Sequence, residues 1–194
     1  MTIRPIHIVV STILVICLAA GVGIYIVLSA PVQPAALQHQ EQVLLGKFTV
    51  LSPPRPAPDV QFATRSGKPA RLTDYRGHWL LVNLWATWCG PCIREMPSLD
   101  RMEARIGNKL DVVAIAEDRT GAKVVNPFVT ALGVKSLPIG YDPAGKVGNA
   151  FHVAGLPTSF LIDPEGRIVA ELQGAANWDA RQTVAALHQL MTKG

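Results

Sequence analysis

The sequence predicts one α/β domain built in layers, with at least one parallel pair of strands, following an apolar N-terminal segment. Three observations predict it. Near-continuous apolar runs at residues 80–86, 110–116 and 156–162 have the length of strands buried on both faces. Between the first two, Ile93, Met96, Leu99, Met102 and Ile106 recur at intervals of three and four, the signature of a helix with one buried face. A chain of 194 residues suffices for one ordinary core with appendages but not comfortably for two.

The N-terminal segment comes first. Hydrophobic residues make up 49% of the chain, and the first thirty positions raise that average. Residues 6–28 contain no Asp, Glu, Lys or Arg and as a helix would span roughly 34 Å, enough to cross a bilayer. A cleavable leader has a core of about 7 to 15 residues, so an uncleaved anchor is expected even though Ser29 and Ala30 offer small residues for cleavage. Cys17 lies inside this run, without the small residue before it that a lipidated cysteine needs, and reads as a membrane-helix side chain. Arg4 and the terminal amine favour a cytoplasmic N-terminus and place the chain beyond residue 28 outside. The expected division is a stub and transmembrane anchor at 1–30, a Pro-rich linker at 31–58 and the folded domain at 59–194.

Within the domain, residues 60–62 and 70–72 flank Ser66-Gly67-Lys68 and read as a short strand pair, with Thr73 capping a helix. Residues 80–86 form the central strand and run directly into Trp88-Cys89-Gly90-Pro91-Cys92. The helix after this motif carries Pro97, which should kink it. Residues 110–116 form a second strand and 124–132 a second helix, ended by Gly133. Residues 156–162 and 167–172 form a hairpin through Asp163-Pro164-Glu165-Gly166. Asn177 is expected to cap a last helix whose Trp178, Val184, Leu187 and Met191 share one face.

Charge excludes one class of function. The net charge is +4, Arg4 is the only charged side chain before Glu41, and from residue 59 onward the two signs interleave. There is no basic stripe and no nucleic-acid footprint. Of the three cysteines, Cys89 and Cys92 are three residues apart, and the five histidines are scattered with no second cysteine pair. A structural zinc site, which needs about four ligands, is not expected.

The chemistry then rests on Cys89 and Cys92. Thiol–disulfide exchange needs one sulfur held as an accessible thiolate and a second close enough to resolve the mixed disulfide. A Cys-x-x-Cys at a strand-to-helix junction supplies both, because the unpaired N–H groups and the dipole of the helix N-terminus stabilise a negative sulfur. Cys89 is the expected attacking thiol and Cys92 the resolving one. Glu95, one turn beyond Cys92, is the nearest acid in sequence that could take its proton.

Trp85-Ala86-Thr87-Trp88-Cys89-Gly90-Pro91-Cys92 closely resembles the thioredoxin active site. Pro97 matches that family's helix kink, and Gly155-Leu156-Pro157-Thr158 matches the loop bearing its cis-proline. The resemblance implies a thioredoxin-like fold, a central mixed sheet flanked by helices. It also implies that Trp88, Gly90, Pro91, Leu156, Pro157 and Thr158 meet the substrate and that Leu156–Pro157 is cis. Two departures narrow the group. Asn83 stands where thioredoxin has a buried Asp, and the stretch from Glu117 to Pro157 is longer, with room for an added helix and strand around residues 137–141.

With the anchor, these features look like the TlpA, ResA and CcmG group of exported thiol:disulfide oxidoreductases. That resemblance implies a single-pass inner-membrane protein with its domain in the periplasm or its equivalent. It would keep protein cysteine pairs reduced for cytochrome c maturation or for assembly of the oxidase copper site. A membrane thiol-reducing donor would recharge it, and no metal or cofactor beyond the Cys89–Cys92 couple is expected. Two alternatives remain: a copper-binding assembly factor using the two thiolates, with His152 as a further candidate ligand, and an oxidase of the DsbA kind.

Overall fold

The computed structural model describes residues 47–193. The expected span at 6–28, Cys17 and the first part of the linker lie outside the described residues. Among the described residues, no helix is long and apolar enough to cross a membrane.

The strands are β1 (Thr49–Pro56), β2 (Gln61–Thr64), β3 (Pro69–Arg71), β4 (Leu80–Trp85), β5 (Asp111–Ala116), β6 (Ile139–Tyr141), β7 (Thr158–Ile162) and β8 (Arg167–Gln173). The helices are α1 (Gly90–Ile106), α2 (Ala122–Ala131), α3 (Lys146–Phe151) and α4 (Arg181–Lys193). The strands form one mixed sheet in the order β1-β8-β7-β4-β5-β6-β2-β3. β4 sits inside it, parallel to β5 and antiparallel to β7, and every residue of β4 is buried. This is the thioredoxin-like mixed sheet that the active-site resemblance implies.

The two-residue period of β4 divides the core between the faces of the sheet. Leu81 and Trp85 join one cluster with Met96, Leu99 and Met102 of α1, Val125 and Val129 of α2, and Leu187 of α4. Leu80, Val82 and Leu84 join the other with Phe151 of α3, Phe160 and Ile168. Asn83 has the parity of Leu81 and Trp85, so it projects a polar group into the α1 side of the core. Pro97 lies inside α1 without ending it, and Pro127 lies inside α2.

Four expectations are corrected. The folded region begins before residue 59, because Thr49–Pro56 pairs with β8 at the sheet edge and Phe48 packs edge-on against Trp178 at 6.4 Å. Proline is tolerated on an edge strand, where a missing N–H breaks no ladder on the solvent side. The ladder is irregular between Val50 and Arg55, the stretch that contains Pro53 and Pro54. Thr73 caps no α-helix: a 3-10 turn, Leu72–Tyr75, has Arg71 at its cap.

Asn177 does not cap α4, which starts at Arg181. The Asn177 carbonyl closes a turn with Ala180 N–H instead, and Trp178 enters the core from that turn, its backbone N–H donating to Ser98 Oγ at 3.1 Å. In the added segment, β6 covers residues 139–141 as a strand, but the extra helix, α3, comes after it.

Candidate active site

The site is built at the C-terminal end of β4. Beyond Trp85 the chain turns through Ala86, Thr87 and Trp88, and Cys89 becomes the N-cap residue of α1, in extended conformation. Cys89 N–H donates to Ala86 O at 3.1 Å, and Cys89 O receives Ile93 N–H at 3.0 Å, tying the cysteine to the strand end and the first helical turn. Gly90 and Pro91 open the helix. Proline fits there because the N–H it lacks would have no intrahelical partner.

Cys89 and Cys92 form a disulfide with Cα atoms 5.2 Å apart. Cys89 is 6% exposed and Cys92 fully buried, so an incoming thiol or disulfide reaches the pair at Cys89. Cys92 N–H donates to Cys89 Sγ at 3.3 Å. On reduction the same N–H faces a thiolate, and with the helix dipole it favours the charged sulfur. Trp88 stands beside the pair at 70% exposure, a flat apolar surface open to a partner.

The loop before Cys89 has a clamp that sequence reasoning missed. Asp118, buried just beyond β5, accepts Thr87 N–H at 3.0 Å and Thr87 Oγ–H at 2.5 Å. Glu117 N–H donates to Trp85 O at 2.9 Å, so the end of β5 holds the end of β4 on both sides of Ala86. The signal available was an acid directly after a buried strand, which does not reveal its partner 31 residues away.

Leu156–Pro157 is a cis peptide bond, as expected. The β4–β7 register sets Leu84 opposite Thr158, which brings Pro157 to the end of the sheet where Cys89 lies. Pro157 and Thr158 are buried and Leu156 half-buried, while Gly90 and Pro91 are exposed. Thr158 Oγ–H donates to Gly155 O at 2.7 Å, and Pro157 O receives Gly174 N–H at 2.8 Å, so the loop is held from both sides. His152 is exposed at the C-terminal end of α3, with φ of 58°. Among the described residues, no group of three or more His, Cys, Asp or Glu is arranged to hold a metal ion.

Glu95 is 2% exposed and points into the core. Its Oε1 accepts Asn83 Nδ2–H at 2.9 Å, and its Oε2 accepts Ala176 N–H at 2.9 Å and Trp178 Nε1–H at 3.0 Å. Burial pushes its pKa above the usual carboxylate value, and the three donors pull the other way. Burial is the larger effect, so the net shift is upward.

Residues 53–171 match the AhpC/TSA family. The chain is 30% identical over 166 residues to the thiol-disulfide oxidoreductase ResA of Bacillus thuringiensis subsp. konkukian, covering 85% of this chain and 86% of that protein. Among solved structures, the exposed lipoprotein thioredoxin Etrx1 of Streptococcus pneumoniae aligns with a TM-score of 0.59 and 27% identity, over 68% of this chain and 99% of the other. StoA of Bacillus subtilis aligns with a TM-score of 0.54 and 25% identity, over 62% and 92%. The buried, helix-capping cysteine pair, the cis-proline loop at the same sheet end and these likenesses agree: the chain belongs to the AhpC/TSA family, and like its ResA relatives it is a thiol:disulfide oxidoreductase.

Proposed function

We propose that the protein is a reductase of cysteine pairs in exported proteins, tethered to the inner membrane by residues 6–28 with its domain outside the cytoplasm. The observation that carries the exchange chemistry is the Cys92 N–H aimed at Cys89 Sγ at a helix N-terminus. A group that stabilises the thiolate readies Cys89 to attack, and because it also stabilises the reduced couple it does not by itself set the direction of exchange. The reducing direction is supported by the Gly90-Pro91 pair, shared with thioredoxin, and by the ResA relatives. The tether and the outward orientation rest on the uncharged run and on Arg4 before it.

In this reading the Cys89 thiolate attacks one sulfur of a substrate disulfide. The substrate S–S bond breaks, a Cys89–substrate disulfide forms, and the other substrate sulfur leaves as thiolate and takes up a proton. Cys92 then gives its proton to Glu95 and its sulfur attacks Cys89 Sγ. The Cys89–Cys92 bond forms as the second substrate thiolate leaves. Trp88, Gly90 and Pro91 present the exposed face, and Leu156, Pro157 and Thr158 border it. No cofactor beyond the cysteine couple takes part, and a dithiol donor in the membrane returns the pair to the reduced state.

The test is a trap combined with a titration. Cys92→Ser in the full chain should accumulate substrates joined to Cys89, because no resolving thiol remains. Captured proteins should be exported ones with cysteine pairs, and a glutathione titration should place the couple on the order of −250 mV or lower. A potential near −120 mV would instead mark an oxidase, and capture of cytoplasmic proteins alone would reverse the topology.

A further inference from the structure

Glu95 and Asn83 face each other across the core, and their hydrogen bonds are not equally adjustable. Oε2 is held by a backbone N–H and an indole N–H, which can only donate. A proton on Oε2 would point at two donors. Oε1 has one partner, the Asn83 amide, whose Nδ2 also donates to Ser159 Oγ at 2.9 Å. The other end of that amide, Oδ1, is buried without a hydrogen-bond partner. A buried carbonyl oxygen left unpaired is uncommon and calls for a reason.

The two ends of an amide are nearly the same shape and opposite in hydrogen-bond character. Turned over, Asn83 would set Oδ1 against Glu95 Oε1 and Ser159 Oγ. That arrangement is satisfied only if Glu95 carries a proton on Oε1, while the serine hydroxyl rotates to donate. Each orientation makes two hydrogen bonds from the amide and leaves one amide atom unpaired. The charge on Glu95 selects between them, because each orientation supplies what one protonation state of the carboxyl needs.

We propose that Asn83 is a positioning residue for proton transfer at this site: it places the Glu95 proton on Oε1 and reverses its amide each time Glu95 gains or loses that proton. This rests on the reading of Glu95 as proton acceptor for Cys92 and adds how the acceptor is tuned. A donor fixed toward Oε1 would hold Glu95 ionised and a fixed acceptor would hold it protonated, whereas a reversible amide accommodates both.

The remaining surroundings do not compete for the role. On α1, Cys92 lies one turn before Glu95. Arg94 and Arg101 line a cleft of about 310 Å3 that also reaches Glu95, Ser98 and Ala176, and Arg101 is bound to Asp179 at 2.6 Å. From β4 the neutral Asn83 reaches the carboxyl while Ser159 of β7 holds Asn83, and from the 174–178 segment Ala176 N–H and the Trp178 indole reach it, all uncharged groups. The cleft borders Glu95 and gives its proton a route to solvent.

The experiment is a side-chain NMR titration of the reduced, full-length chain in detergent micelles, with 15N-asparagine and 13C-glutamate labels. The Asn83 NH2 signals should move with the same midpoint as the Glu95 carboxyl carbon. In Glu95→Gln, whose amide nitrogen donates as the protonated acid does, they should stay at the low-pH position at every pH.

Asn83→Leu should raise the proton affinity of Glu95 by about tenfold, because a hydrogen bond to the charged form is stronger than one to the neutral form. An Asn83 signal that stays still while Glu95 titrates, or a Glu95 midpoint unchanged in Asn83→Leu, overturns the proposal. If the Leu variant does not fold, the wild-type and Gln titrations decide alone. Exchange kinetics indifferent to Glu95→Gln, together with intact Asn83 coupling, would reject the proton-acceptor reading and leave the amide reversal standing.

Discussion

Trp178 Nε1 donates to Glu95 Oε2 at 3.0 Å, across 83 positions of sequence. The turn before α4 is thus attached to the same carboxyl that lies one helical turn from Cys92. Ser98 strengthens the joint, accepting Trp178 N–H at 3.1 Å while donating to Glu95 O at 2.8 Å. The group proposed to handle a proton is also a structural anchor, and its substitutions should separate by chemistry.

Glu95→Ala leaves Ala176 N–H and Trp178 Nε1–H buried without acceptors, each costing about 1–3 kcal/mol. Chemical denaturation should show a loss on the order of 2–5 kcal/mol. Glu95→Gln keeps an acceptor for both and should lose far less. Its signature should be kinetic: slower release of the mixed disulfide and a flattened pH profile. Unchanged release kinetics from pH 5 to 9 would leave Glu95 with the structural role alone.

Alkylation should find Cys89 first. It is the more accessible sulfur and the one that accepts a helix N-terminal N–H, so its thiolate should be appreciable at neutral pH. Mass spectrometry of the reduced protein after a brief iodoacetamide pulse should place the first label there. Preferential labelling of Cys92 would overturn the assignment.

Asp118→Ala should loosen the approach to the cysteines without touching them. It removes the acceptor of Thr87 N–H and Thr87 Oγ–H. The expected result is a stability loss of about 1–3 kcal/mol with a several-fold slower attack by Cys89. Asp118→Asn, which retains one acceptor oxygen, should recover part of both. Stopped-flow exchange with a model disulfide, beside a melting curve, reads the two effects separately.

Glu103, on α1, adds a pH-dependent contribution away from the disulfide. Burial, with Asp111 and Asp100 nearby, raises its pKa from 4.5 to about 7. A folded-state value above the unfolded one means that the native protein binds the proton more tightly. The contribution is full below pH 4.5 and is lost as pH rises through 7. Because the side chain is only half-buried, solvent screening holds the effect to about 1–2 kcal/mol. Glu103→Gln should therefore raise the melting temperature at pH 8 and change it little at pH 4.5, and equal shifts at both would contradict the assignment.

Local signals carried much of the molecule. Buried runs marked β4, β5 and β7, and the three-and-four spacing marked α1. The junction between β4 and α1 placed a Cys-x-x-Cys where a helix end can stabilise a thiolate. β1 was hidden because its prolines read as a linker, and only pairing with β8 shows that an edge position accepts them. The spacing of Trp178 places it on the face of α4, yet it reaches the core from the turn before that helix, held by Ser98 and Glu95.

By itself the sequence determined the chemistry, because two cysteines three residues apart at a strand-to-helix junction are a local arrangement complete within eight residues. The state of Glu95 was decided only by the tertiary structure. Spacing alone allows a solvated carboxylate one turn past Cys92. Its burial needs β4 to supply Asn83 and the distant 174–178 segment to supply two donors, and side chains far apart in sequence become neighbours only when the sheet and its helices close around them.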